Sequence, residues 1–151
     1  METLVIQSDK KNIVEVERFV YSVCDTFNIN NYSAIISMSL LQAVENAIVH
    51  GNCNDPSKNV SITFDYFKGG VFFTVSDQGN GFEYSSKLGD KDICDTCRGL
   101  FLMQSLSDRI SFLNNGATVR LDFIINGIEA SRALERITSL RKYFALKTVN
   151  V

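Results

Sequence analysis

Hydrophobic residues recur at two spacings along the chain, and each spacing predicts a different element. The apolar residues that lie three to four positions apart near the N-terminus are Ile13, Val16, Val20, Val23 and Phe27. They predict a first helix over 9–27, with Ser8 as its N-cap. A second helix is predicted over 32–50, followed by Gly51 where a C-cap glycine is typical. Apolar residues surround nearly all of this second helix, so we expect it to be buried.

After position 59, apolar and polar residues alternate, which predicts strands. Two runs at 60–66 and 71–75 flank Lys68-Gly69-Gly70 and form a hairpin. A short helix over 99–107 precedes a second hairpin, with strands at 109–113 and 117–125, and the chain begins with a strand at 3–7. This order predicts an α+β fold: a two-layer α/β sandwich with helices on one face of a mixed, mostly antiparallel sheet.

Composition narrows the function classes. The 151 residues are 45% hydrophobic and 21% charged, which is typical of one globular domain. A net charge of −2 does not favour nonspecific binding to nucleic acid or to a membrane. The apolar runs are shorter than the ~18 residues of a membrane-spanning helix, and no signal peptide is apparent. We therefore expect a cytoplasmic protein without direct nucleic-acid or membrane contact.

The first candidate for chemistry is an asparagine at the end of the second predicted helix, in Glu45-Asn46-Ala47-Ile48-Val49-His50-Gly51-Asn52. A polar residue on an apolar helix is costly unless it has partners. An amide oxygen is a ligand that Mg²⁺ accepts. A hydrogen-bonded core asparagine explains the same residue, and the segment by itself favours that interpretation.

Two glycine-containing segments follow. Asp77-Gln78-Gly79-Asn80-Gly81 comes directly after a predicted strand, where a carboxylate can accept a hydrogen bond from an exocyclic amine such as that of adenine. Its glycines let the backbone approach a ligand closely. Arg98-Gly99-Leu100 stands at a predicted helix start, where free amides bind phosphate. Each segment alone is equally compatible with an ordinary turn or helix start.

In this order and spacing, the segments resemble the GHKL superfamily of ATPases, which includes gyrase and the histidine kinases. Asn46 matches the N-box, Asp77-x-Gly79-x-Gly81 the G1 box and Gly99 the G2 box, while 84–98 lies where the family has an ATP lid. Gly116-Ala117-Thr118-Val119 resembles a late segment whose threonine lies near the adenine. Within the superfamily, the chain is most similar to the bacterial anti-sigma factor serine kinases, which carry N-A-I-x-H-G after the helix.

The resemblance implies the Bergerat ATP-binding fold and binding of ATP with Mg²⁺. Asn46 would hold Mg²⁺ and take part in catalysis, and Asp77 would read adenine. The other residues that it places at the nucleotide are His50, Gly79, Gly81, Gly99, Leu100 and Thr118. We add Arg98, because a lid cation can neutralise phosphate charge, although a solvated loop charge explains it equally well. The implied partners are a sigma factor and an anti-anti-sigma protein of the STAS type, in control of transcription by partner switching.

Position 42 departs from the pattern of the related kinases, which have a glutamate there as the proposed general base. Gln42 shares a helix face with Asn46 and can orient a hydroxyl, but it cannot accept a proton near neutral pH. Losing a general base costs ~10²–10⁴ in rate, and Glu45 lies about 60° round the helix. The chain is thus an anti-sigma serine kinase or a catalytically weak or inactive nucleotide-dependent protein-binding module. A detached sensor-kinase ATPase domain is a third, less favoured interpretation.

The remaining features concern the cysteines and the C-terminus. His50, Cys53, Cys94 and Cys97 are a conceivable zinc set, but His50 already fits the N-box, so we expect free thiols and no zinc. We divide the chain into an ATP-binding domain over 1–126 and a C-terminal amphipathic helical extension over 127–151. The extension packs on its own domain, or contacts a partner or a second copy in a homodimer, and both alternatives remain open.

Overall fold

The computed structural model describes residues 1–81 and 95–125, together with 138–139, 141–142 and 145, and for 95–97 it describes the backbone alone. Most of the predicted lid segment 84–98 therefore lies outside the described residues. So does most of the predicted extension 127–151.

The described strands form a sheet of five in the order β1-β2-β3-β5-β4, and each neighbouring pair is antiparallel. Their bounds are β1 Glu2–Gln7, β2 Asn59–Phe67, β3 Gly70–Ser76, β4 Arg109–Leu113 and β5 Thr118–Ile124. The alternating pattern predicted these strands to within about two residues. Lys68 and Gly69 connect β2 to β3, and Gly69 has a φ of 91°, which glycine adopts without steric cost.

Within residues 1–125, the described helices that cover one face of this sheet are α1 Ile13–Thr26, α2 Ser33–Asn46 and α3 Asp95–Leu106. A 3₁₀ turn at Lys10–Asn12 precedes α1, and a π-helical turn at Ala47–Gly51 continues α2. The buried residues of α1 and α2 meet the inward faces of the strands, where aromatic rings pack edge to face, as Phe27 and Phe64 do with centroids 5.0 Å apart. The predicted α+β two-layer sandwich is confirmed.

Four local expectations were wrong. Ser8 does not cap a helix: its Oγ donates to the Lys58 carbonyl at 2.8 Å, and the Asp9 carboxylate caps the first turn instead. Gly51 lies within the π-helical turn, without the positive φ of a C-cap glycine. The second helix is not buried all round, because Ile35 and Met38 are 40% and 52% exposed.

The fourth concerns α3, which begins at Asp95 rather than at Gly99. The amide of Gly99 therefore lies inside the helix, where an intrahelical bond is available to it, and not among the free amides of a helix start.

By length and mean hydropathy, the segment Asn30–Gly51 could cross a membrane. The uninterrupted apolar runs of the sequence did not indicate this, because each is shorter than a spanning helix. Half of its most apolar window is buried inside the fold. Core helices of globular domains meet the same criterion, and α2 lies between α1 and α3 over the sheet.

Candidate functional site

Gln42 and Asn46 lie on one face of α2, and that face is covered by Gly99 of α3. A Cβ built at position 99 would lie 2.9 Å from Gln42 Oε1 and 3.7 and 3.8 Å from Asn46 Nδ2 and Oδ1. The shared face that the i, i+4 spacing predicted is therefore present. A glycine at 99 leaves both side-chain amides a space that any other residue would fill.

The Asn46 side chain has an unused hydrogen-bonding group. The residue is 7% exposed, and its Nδ2 atom has no hydrogen-bond partner among the described residues. A buried amide without a partner is costly, so its presence calls for an explanation. Because rotation of the amide by 180° exchanges its oxygen and nitrogen, the same group can present an oxygen to a cation or a nitrogen to an acceptor. The Asn46 amide therefore fits a site that binds Mg²⁺ or phosphate.

The π-helical turn carries the chain from Asn46 towards β3. Its closing bond runs from the Asn52 amide to the Ala47 carbonyl at 2.8 Å, five residues back. Single π-helical turns of this kind occur frequently at functional sites. His50 is exposed on this turn, and Gly51 at its end lies against Asp77.

Asp77 directly follows β3, and one hydrogen bond fixes its backbone amide while another fixes its carboxylate. Its amide donates to the Ala117 carbonyl at 2.9 Å, and its Oδ1 accepts a hydrogen bond from the Gly79 amide at 2.8 Å. Partial burial raises the pKa of this carboxyl above its ordinary value, opposed by the Gly79 hydrogen bond and by the charge of Lys58. A partly desolvated carboxylate of this kind is a strong acceptor for a ligand N–H group.

Three glycines leave the backbone room to close around Asp77. A Cβ at Gly51 would overlap the Asp77 carboxyl group, and one at Gly79 would overlap the Gly51 carbonyl. Gly81 has a φ of 92°, and a Cβ there would overlap the carbonyl of Asn115 in the β4–β5 turn. The predicted site residue Gly79 is thus brought together with Asp77, whereas Gly81 lies against the β4–β5 turn. Gly51 was predicted only as a helix C-cap.

Thr118 directly follows Ala117, whose carbonyl accepts a hydrogen bond from the Asp77 amide, but the Thr118 hydroxyl does not contact the Asp77 carboxyl group. Its Oγ1 shares a hydrogen bond with Ser76 Oγ at 2.9 Å and accepts another from Asn114 Nδ2 at 3.1 Å. Ser76 and Thr118 face each other across the sheet, next to the buried pair Val75 and Val119. Because side chains alternate between the two faces of a strand, the Thr118 hydroxyl lies on the face away from the helices.

The remaining predicted residues occupy different environments. Arg98 is exposed near the start of α3, and Leu100 is fully buried in the core below Gly99. Glu45, considered as a substitute base, is 44% exposed at its side chain and pairs at 3.2 Å with Lys10 in the turn before α1.

Asn52 is the residue of this site that the sequence did not identify. It is fully buried, and three of its hydrogen bonds join segments that are far apart in the chain. Only its position next to Gly51 drew attention to it. Its partners lie 7 to 44 positions away, so no local pattern could have found them.

No group of three or more His, Cys, Asp or Glu side chains that could hold a metal occurs within the described part of the chain. Cys94 and the side chain of Cys97 lie outside it. Cys24 is buried, which raises the pKa of its thiol to about 11 and makes it unreactive at neutral pH, whereas Cys53 is exposed.

A helical layer over an antiparallel sheet, with an orphaned asparagine amide, a strand-end aspartate and close-packed glycines between the layers, defines a nucleotide-site architecture of the GHKL type. The model of the histidine kinase-like ATPase domain matches residues 6–123, and the chain belongs to that family.

Two known proteins are similar to it. The serine-protein kinase RsbW of Bacillus subtilis (strain 168) is 25% identical over 119 residues, and the match covers 72% of each chain. The serine-protein kinase RsbW of Bacillus velezensis (strain DSM 23117 / BGSC 10A6 / LMG 26770 / FZB42) is 26% identical over 103 residues, and the match covers 61% of this chain and 64% of the relative.

Proposed function

We propose that the protein is a cytoplasmic, ATP-binding anti-sigma regulatory factor of the serine-kinase type. It controls transcription by binding a sigma factor and exchanging it for a STAS-type anti-anti-sigma protein. The observation that carries this proposal is the unpartnered amide of buried Asn46, which faces Gly99 in an ATPase-family fold. The similarity to two serine-protein kinases supports the serine-kinase type.

In this proposal the Asn46 half of the site binds Mg²⁺ and the Asp77 half binds adenine. Asn46 holds Mg²⁺ through its amide oxygen, and the ion neutralises phosphate charge. Asp77 accepts a hydrogen bond from the exocyclic amine of adenine. Gly79, Gly81 and Gly99 leave the backbone open to the ligand, and Arg98 and His50 lie at its margin. Thr118 acts through the sheet, because its hydroxyl ties β5 to β3 beside Asp77.

The second candidate function is a nucleotide-dependent binding module without efficient phosphate transfer, and Gln42 is the observation that favours it. Its amide oxygen reaches the space over Gly99, where the related kinases have a carboxylate. Glu45 does not replace that carboxylate, because it pairs with Lys10 at 3.2 Å. Since positioning and electrostatics supply most of the stabilisation in phosphoryl transfer, slow activity is compatible with Gln42.

We also propose that the domain boundary lies at 126/127. Arg141 and Lys142 of the extension are exposed, so a second copy or an acidic partner surface can reach them.

The test is affinity capture from the native cell with ATP and Mg²⁺, followed by mass spectrometry, with Asp77→Asn as the matched bait. We expect the wild type to retain a sigma factor and a STAS-type protein and the variant to lose the nucleotide-dependent partner. The captured complex is then incubated with ATP. Phosphoserine formed on the STAS-type protein supports the serine kinase, and its absence supports the binding module. Capture of neither partner class by a bait that binds ATP contradicts the proposed function.

A further inference from the structure

Asn52 is a fully buried asparagine whose amide is bonded at both ends. Its Nδ2 donates to Ser8 Oγ at 2.8 Å and to the Asn59 carbonyl at 2.9 Å, and its Oδ1 accepts from the Gln78 amide at 2.8 Å. These partners belong to the end of β1, the start of β2 and the loop after β3. One side chain thus joins three segments at the point where the π-helical turn ends.

The bond to Gln78 acts directly on the position of Asp77. The Asp77 amide is fixed by the Ala117 carbonyl, and the next amide in the chain, that of Gln78, is fixed by Asn52. Together these two bonds determine the orientation of the peptide units on both sides of Asp77. Gln78 Oε1 accepts a further bond from the Asn59 amide at 2.6 Å, which holds the same loop to β2.

Asn52 is also tied to Asn46. Its own amide closes the π-helical turn on the Ala47 carbonyl, directly after Asn46, and Gly51 in between lies against the Asp77 carboxyl group. The distance between Asn46 and Asp77 is therefore spanned by a turn that ends on Asn52 and by one side-chain bond from Asn52 to the loop.

We infer that Asn52 is a positioning residue that fixes the Asp77 carboxyl group relative to Asn46, and that it thereby sets the preference of the site for a 6-aminopurine over a 6-oxopurine nucleotide. This inference rests on the proposed ATP-binding function. A carboxylate held at the correct place accepts a hydrogen bond from the 6-amino group, whereas a 6-oxo group meets it with an oxygen and no donor. If the carboxylate is free to move, the two bases are distinguished less well.

The experiment measures the dissociation constants of ATP and ITP, each with Mg²⁺, for the wild type and for Asn52→Ala, well below the melting temperature. The readout is the ratio of the two constants, because a loss of stability alone weakens both nucleotides alike and leaves the ratio unchanged. We expect Asn52→Ala to reduce the preference for ATP at least about tenfold, which corresponds to about 1.4 kcal/mol. If Asn52→Ala does not fold, Asn52→Ser, which keeps a polar side chain at this buried position, takes its place.

The matched control is Ser8→Ala, which removes a bond from the other end of the same amide and leaves the Asn52–Gln78 bond in place. We expect it to lower the melting temperature and to keep the ATP/ITP ratio. Equal weakening of both nucleotides in the Asn52 variants, with an unchanged ratio, overturns the inference while the ATP-binding proposal stands. If the wild type binds neither nucleotide, the ATP-binding proposal itself fails, and the inference falls with it.

Discussion

The amide of Gln42 occupies the space next to Gly99, so closely that a Cβ at position 99 would lie 2.9 Å from Gln42 Oε1. Real Cβ contacts are not this short, and one of the two groups would have to move. The Gln42 side chain is flexible and its amide is the part that would shift. The glycine at 99 therefore determines where the amide at 42 points.

A double-mutant cycle of Gly99→Ala and Gln42→Ala tests this contact. Alanine is favoured over glycine inside a helix by about 1 kcal/mol, but in the wild type this gain is offset by displacement of Gln42. In the Gln42→Ala background the new methyl group has room, so Gly99→Ala should raise the melting temperature by about 2–4 °C. Thermal denaturation of the four proteins measures the coupling. An equal shift of the melting temperature in both backgrounds would show that the contact is absent.

Gln42→Glu should raise ATP hydrolysis or phosphate transfer with little change in ATP affinity. The variant keeps the shape of the side chain and adds a proton acceptor on the face shared with Asn46, so the gain can approach ~10²-fold. Single-turnover assays with labelled ATP measure it. The matched control is Glu45→Gln, which removes the neighbouring carboxylate that pairs with Lys10 and should leave the rate unchanged. A rapid wild-type rate that Gln42→Glu does not alter would contradict the role given to position 42.

ATP with Mg²⁺ should stabilise the fold. At ~100 times the dissociation constant the gain in unfolding free energy is about 2.7 kcal/mol, which for a chain of this length raises the melting temperature by about 5–10 °C. Asp77→Asn should remove most of this shift, and Asp25→Asn, an exposed aspartate on α1, should keep it. Calorimetric titration checks the binding directly. A wild type whose melting temperature does not respond to saturating ATP would exclude the nucleotide site.

Without nucleotide, Asp77→Asn should raise the stability of the fold, although the same variant loses the stabilisation by ATP. Burial raises the pKa of this carboxyl above its ordinary 3.8, so the folded protein binds the proton more tightly than the unfolded chain does. The stability from protonation is complete below the unfolded pKa and is lost as the pH rises through the folded pKa. Asparagine cannot ionise and can still accept the Gly79 hydrogen bond.

The variant without ligand should therefore melt higher than the wild type at neutral pH, and the difference should shrink as the pH falls towards 3.8. Melting curves across this range, with and without ATP, measure both effects. A difference that grows on acidification would show that the pKa shift has the other sign.

The cysteines should hold no zinc. His50 and Cys53 are both exposed, and no metal-binding group occurs among the residues that the structure describes. Metal analysis of protein purified without chelator tests the prediction. Stoichiometric zinc that disappears in Cys94→Ser would overturn it.

The sequence predicted the elements and the first half of the site because both depend on short spacings. Alternation located β2 and β3, and the i, i+4 spacing placed Gln42 beside Asn46. The sequence could not predict on which face of the sheet the Thr118 side chain lies relative to Asp77. That face depends on the register of β3 against β5. The sequence also could not predict the role of Asn52, because its partners come together only when the strands pair in the sheet.

Exposed residues of the second helix illustrate the same limit. Ile35 and Met38 belong to the apolar residues that lie nearly all round this helix, which predicted that they are buried. Whether the outer face of a helix is covered depends on what packs against it.

The π-helical turn at Ala47–Gly51 determines where Asn52 lies around the helix axis. It contains one residue more than an α-helical turn would need to close. If the same residues were wound as an α-helix, Asn52 would lie about 100° further round the helix axis relative to Asn46. The width of this turn therefore fixes the angular position of Asn52, so a substitution that drives residues 47–51 into an α-helical turn would separate the Asn52 side chain from Ser8, Asn59 and Gln78.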